Sequence, residues 1–171
     1  LYASWAFKLN HAGDMSGDYC AIENIPDGME LAYIRVKWQG AQAQNIKSVE
    51  INNLDSEWEM KVNDTIDDDN KSRHTIYYVN KSKRQAMIKL GTFAYNKVED
   101  LNAVDIQVVC KVTDSKMLMG GENKTFNNTV ELLTGDGQKL PADRRDPSTA
   151  IATAPFDHTK TSILDKTGVK D

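Results

Sequence analysis

Apolar residues in this chain recur at every second position and nowhere at helical spacing over a helical length. Trp5, Phe7 and Leu9 alternate in LYASWAFKLN, and Ala32, Ile34, Val36 and Trp38 alternate in LAYIRVKW. A period of two places successive side chains on opposite faces of an extended strand, so each segment predicts a half-buried β-strand. HTIYYV and RQAMIKLGTF flank the polar NKSK, which predicts a hairpin with a four-residue connection. VDIQVVCKV and KTFNNTVELL follow, and STAIATAPF resumes after the turn-rich TGDGQKLPADRRDP. Short strands separated by Gly, Asn and Asp predict an all-β fold, a Greek-key β-sandwich.

Composition narrows the function classes. The 171 residues are 40 % hydrophobic and 27 % charged, enough to bury a core and too apolar for a disordered chain. A net charge of −4, with Lys and Arg scattered, offers no footprint for nucleic acid or an anionic membrane surface. No apolar run approaches the ~20 residues of a spanning helix. His11, His74 and His158 carry no ligand spacing, so no metal site is expected. The acidic stretch Asn63 to Asn70 lacks the glycine and closing glutamate of an EF-hand loop and predicts a solvated loop. No nucleophile elbow, phosphate loop or Cys–His pairing is present, so neither enzymatic turnover nor a cofactor is expected. Sequons begin at Asn63, Asn70, Asn80, Asn123 and Asn127, a pattern common by chance in Asn- and Thr-rich β-proteins. Cys20 and Cys110 each sit in an apolar strand of the same expected sandwich core. They are read either as two buried thiols or as one disulfide between the sheets.

The two ends of the chain read as parts of one pattern. Lys160-Thr161-Ser162 and Thr167-Gly168 come last, and Ser4-Trp5-Ala6-Phe7 and Glu23-Asn24-Ile25-Pro26-Asp27-Gly28 come first. Written head to tail, this set resembles the opening of the collagen-adhesin-like, immunoglobulin-like modules of Gram-positive surface adhesins and pilins. Thr125-Phe126-Asn127-Asn128-Thr129-Val130-Glu131-Leu132 is similar to the closing strand of that family. Residues 40 to 100 carry none of its signatures. The order departs from the family, whose lysine strand comes first. The expected division is therefore a sandwich module over 1–157 and, over 158–171, the first strand of the next module or subunit.

The resemblance implies a Lys–Asn isopeptide crosslink assisted by a buried carboxyl group. Residue by residue, the lysine is Lys160, and the acid is Glu23 in place of the more usual aspartate. The asparagine is Asn128 or Asn127. Strand parity favours Asn128, which shares a face with Val130 and Leu132. Lys8 and Lys166 are the secondary lysines, and Lys8 falls on the strand face opposite Trp5 and Phe7. The implied function is a stalk or filament module of an extracellular, cell-wall-attached fibre, with neighbouring copies as head-to-tail partners. A ligand-binding adhesin domain that grips a host protein or glycan is the alternative, and a phage or spore surface protein sharing the sandwich is a third reading.

Overall fold

The computed structural model describes residues 2–10, 13, 15–38, 40, 47–66, 72–93, 101–114, 116, 125–140 and 151–157, and their side chains except at 38, 125–127 and 151–157. Nine strands run through these residues: β1 (Tyr2–Leu9), β2 (Tyr19–Asn24), β3 (Met29–Trp38), β4 (Trp58–Ile66), β5 (Ser72–Asn80), β6 (Gln85–Lys89), β7 (Val104–Val112), β8 (Thr125–Thr134) and β9 (Ile151–Asp157). They form a three-stranded sheet in the order β1-β7-β3 and a six-stranded sheet in the order β4-β5-β6-β2-β8-β9. Every pairing is antiparallel. The chain is all-β, with two sheets packed over one core. No helix among the described residues is long and apolar enough to cross a membrane.

Alternation explains which residues enter that core. From β1 come Ala3, Trp5, Phe7 and Leu9, while Ala6 and Lys8 face solvent. From β7 come Val104, Ile106, Val108 and Cys110, and from β2 and β8 come Tyr19, Ala21, Val130 and Leu132. A second, smaller cluster lies on the other face of the large sheet. There Cys20, Met87 and Leu133 pack with Ile22, Ile51, Leu54 and Trp58. The segment leading into β4 covers this cluster, with Val49 bridged to Lys89 and the Ile51 amide donating to the Tyr78 hydroxyl at 2.8 Å.

Three local expectations shift. The register of β3 on β7 skips Ala32 at a bulge between Leu31 and Tyr33. Ala32 is therefore exposed, and Leu31, Ile34 and Val36 take the inward positions instead. The four-residue hairpin connection is Lys81 to Arg84, one residue later than read, because Asn80 completes β5. The Asn80 carboxamide oxygen accepts from Ser82 Oγ at 2.9 Å and the Lys83 amide at 3.1 Å, which fixes that turn. Asn63 to Ile66, expected in a solvated acidic loop, are the last residues of β4, paired with Thr75 to Ser72. Thr65 and Ile66 favour the strand, and residues 67–70 lie outside the described set.

The outer edge of β3 is met by side chains of the opposite sheet. Thr75 Oγ1 accepts the Val36 amide at 3.1 Å, and Asn63 Nδ2 donates to the Ile34 carbonyl at 3.3 Å. These contacts close the sandwich along one side and satisfy an edge that would otherwise invite pairing. Thr75→Val keeps the shape and leaves the buried Val36 amide without an acceptor. Chemical denaturation should show a loss of about 1–3 kcal/mol, whereas a midpoint unchanged from wild type would discount this edge contact.

Candidate functional site

β2 is flanked on both sides, by β6 and by β8, so its side chains have no open edge to turn toward. Tyr19, Ala21 and Glu23 point into the main core, and Cys20 and Ile22 into the second cluster. Glu23 is 2 % exposed. It stands opposite Val130 in the β2–β8 register, which makes Asn128 its diagonal neighbour on the same face. Asn128 is also 2 % exposed.

Neither side chain makes a hydrogen bond of normal geometry. Both carboxyl oxygens of Glu23 and both polar atoms of the Asn128 amide are buried without a partner among the described residues. Each such atom costs about 1–3 kcal/mol relative to its hydration in the unfolded chain. Burial pushes the Glu23 carboxyl up to about 8. The Asn128 amide opposes that shift through a hydrogen-bonding approach to the carboxyl, although the contact falls short of normal geometry. Near neutral pH the carboxyl is therefore largely protonated, a donor as well as an acceptor.

Cys110 of β7 reaches the site from the opposite sheet. Burial, and then the Glu23 carboxyl, push its thiol up to about 12, with the Arg84 guanidinium opposing. It is a neutral, fully buried side chain here, not a thiolate nucleophile. Register sets Ala3 of β1 on one side of it and Leu31 of β3 on the other. The Ile25-Pro26-Asp27-Gly28 turn anchors the end of β2. Gly28 adopts φ 76°, a conformation that favours glycine, and the Met29 amide donates to the Pro26 carbonyl at 3.2 Å. Arg84 donates to the Pro26 and Met29 carbonyls at 2.9 and 2.8 Å, holding the turn against the β5–β6 connection.

The remaining sequence candidates fall as follows. Asn127 is in β8, with its side chain outside the described set, and pairs with Pro155 in the β9 ladder. Lys160, Lys166 and the whole of 158–171 lie outside the described residues. Lys8 is exposed on β1. The pairing weighed for Cys20 and Cys110 is not made, and the expectation of one shared core is corrected. Both are free thiols, and Cys20 sits on the face of β2 opposite Glu23, in the second cluster. Its Sγ donates to the Gly135 carbonyl at 3.4 Å. The sequon at Asn80 is closed to modification by complete burial of the side chain. Sequence reading did not find Cys110 as a neighbour of Glu23, because nothing in one strand's pattern tells which residue of the facing sheet lies above it.

A cleft of about 380 Å³ lies beside the turn, lined by Ile25, Glu30, Leu31, Val79, Lys81 and Arg84. Among the described residues, none of those lining it is aromatic. The chain matches no family model, no curated protein and no solved structure in comparisons with each.

The Glu23 carboxyl carries a pH signature. Its folded pKa lies above the unfolded value, so the folded state holds the extra proton between about pH 4.5 and 8. Stability should fall as pH rises through that interval, by a few kcal/mol in order of magnitude, and level off above it. Glu23→Gln keeps the shape without the titration. Denaturation curves at pH 5 and pH 8 should converge for the variant, and an equal slope in both proteins would refute the assignment.

Proposed function

We propose that this chain is a structural stalk or filament module of a bacterial cell-surface fibre, joined to neighbouring copies by a Lys–Asn isopeptide bond at Asn128. The observation that carries the reading is the buried Glu23–Asn128 pair, none of whose four polar atoms makes a hydrogen bond of normal geometry. A core tolerates such a pair when a third polar group completes it, and a neutral amine supplies both the donors and the lone pair that the site lacks. The resemblance of the chain's ends to collagen-adhesin-like modules names Lys160 of a neighbouring copy as that amine.

The reaction balances without a cofactor. The Lys160 Nζ lone pair attacks Asn128 Cγ, while the protonated Glu23 carboxyl polarises the amide oxygen. The new C–N bond forms as the bond to the amide nitrogen breaks. One proton from Nζ travels through Glu23 to the leaving nitrogen, which departs as ammonia, and Glu23 ends protonated as it began. Burial favours the neutral amine and the neutral acid together, and confinement supplies the proximity that a single slow event requires.

Two features favour the stalk over the adhesin. Among the described residues, the charged cleft beside the turn has no aromatic lining of the kind expected in a glycan or peptide groove. The polar pair is enclosed in the core, where a host ligand has no access and a structural bond is protected from water. The all-β, two-sheet body is what such a load-bearing unit needs, and the implied location is the extracellular surface.

Under reducing, denaturing conditions the purified chain should give a ladder of covalent multimers, each lighter by one ammonia per bond than the sum of its units. Glu23→Ala and Asn128→Ala should each collapse the ladder to the monomer, and a tryptic map should join the Lys160 and Asn128 peptides. A wild-type chain with the unmodified mass throughout would sink the reading.

A further inference from the structure

β4 ends the six-stranded sheet, and among the described residues no strand pairs with its outer edge. The same strand carries the large hydrophobic side chains that the core does not take. Met60 is 49 % exposed, Val62 46 % and Ile66 72 %. Met60 and Val62 continue the row begun by Trp58, whose ring packs on the second cluster. The intervening row holds Glu59 and Lys61, whose side chains meet at 3.1 Å. β4 contains no proline and no bulge against β5, two of the usual defences of an open edge.

We propose that this edge pairs with the β4 edge of a second copy of the chain, antiparallel and about a two-fold axis through Met60. An axis normal to the sheet keeps the two faces separate, so residues of one parity oppose each other. With Met60 on the axis, Glu59 of each copy stands opposite Lys61 of the other, twice. Met60 meets its own image, and Trp58 meets Val62 of the second copy on the outer face. Neighbouring registers lose this match. Centring on Lys61 opposes two ammonium groups, and centring on Val62 sets Met60 against an aspartate, Asp64. The turn before β4 limits the overlap: the Trp58 amide donates to the Asp55 carbonyl at 3.2 Å, and the chain bends away there. The ladder is thus five residues long, from Trp58 to Val62, an interface suited to reversible lateral contact between fibres.

This pairing does not depend on the crosslink, which involves other strands. Sedimentation equilibrium of the full chain should show a reversible monomer–dimer equilibrium on top of any head-to-tail species. Glu59→Lys should weaken it about tenfold or more by opposing like charges, and the double change Glu59→Lys with Lys61→Glu should restore it. The four side chains are at the surface, so melting curves of these variants should match wild type. Met60→Cys should form a symmetric disulfide dimer on mild oxidation faster than Val62→Cys. A chain without lateral dimer at high concentration, a double swap that fails to restore, or faster coupling through position 62 would each overturn the proposal. Head-to-tail association should be untouched by every one of these changes.

Discussion

The inner face of β7 is the surface on which this sandwich is assembled. β7 sits between β1 and β3, and its inward row of Val104, Ile106, Val108 and Cys110 lies over the large sheet. Branched side chains dominate that row until Cys110, where the volume drops. Beside Cys110 stand Ala3 of β1 and the partly buried Leu31 of β3. That is the level at which Glu23 enters from the other sheet, near enough for its charge to act on the Cys110 thiol. Position in the core and chemical character thus change together along one strand.

Burying a carboxyl and an amide side by side without partners is a cost that the rest of the core must offset. The offset is visible in the amount of apolar packing around it: Trp5, Phe7, Ile34, Ile106 and Ile88 are almost fully buried. Each such side chain contributes roughly 1.5–3 kcal/mol on removal from water. The sandwich can therefore hold a locally unfavourable pair, and the pair in turn is held rigidly because its strands are flanked on both sides. Rigid placement of neutral, desolvated groups is the condition under which an amine and an amide react without any further machinery.

Much of this was legible in the sequence where one strand's own alternation decides the outcome. Trp5, Phe7 and Leu9 inward with Lys8 outward, and Asn128 on the face of Val130, both follow from parity alone. Parity failed where an inserted residue resets it, as at Ala32, since a bulge leaves no mark in an apolar run. β4 was not recognised because its exposed row mixes Met60 and Val62 with Asp64, and an acidic stretch reads as loop. The two cysteines show a different limit. Cys20 lies beside Ala21 in an apolar run, yet both faces of β2 are covered, so burial of Cys20 does not reveal which of two clusters receives it. Contacts between sheets, such as Glu23 with Cys110, depend on how the sheets are superposed, which no single segment encodes.

The strand register bears on why a glutamate, with its longer side chain, stands at position 23. Glu23 stands directly opposite Val130, so Asn128 is its diagonal neighbour and not its direct one. Diagonal neighbours across an antiparallel pair are separated by about 7–8 Å, against about 4.5–5.5 Å for direct ones. An aspartate at the same position would have one methylene less with which to reach along that diagonal. The extra methylene of glutamate gives the carboxyl the reach to interact with the amide and to act on the Cys110 thiol. Side-chain length thus compensates for register, and the acid and the amide share one buried space although their backbones are not directly paired.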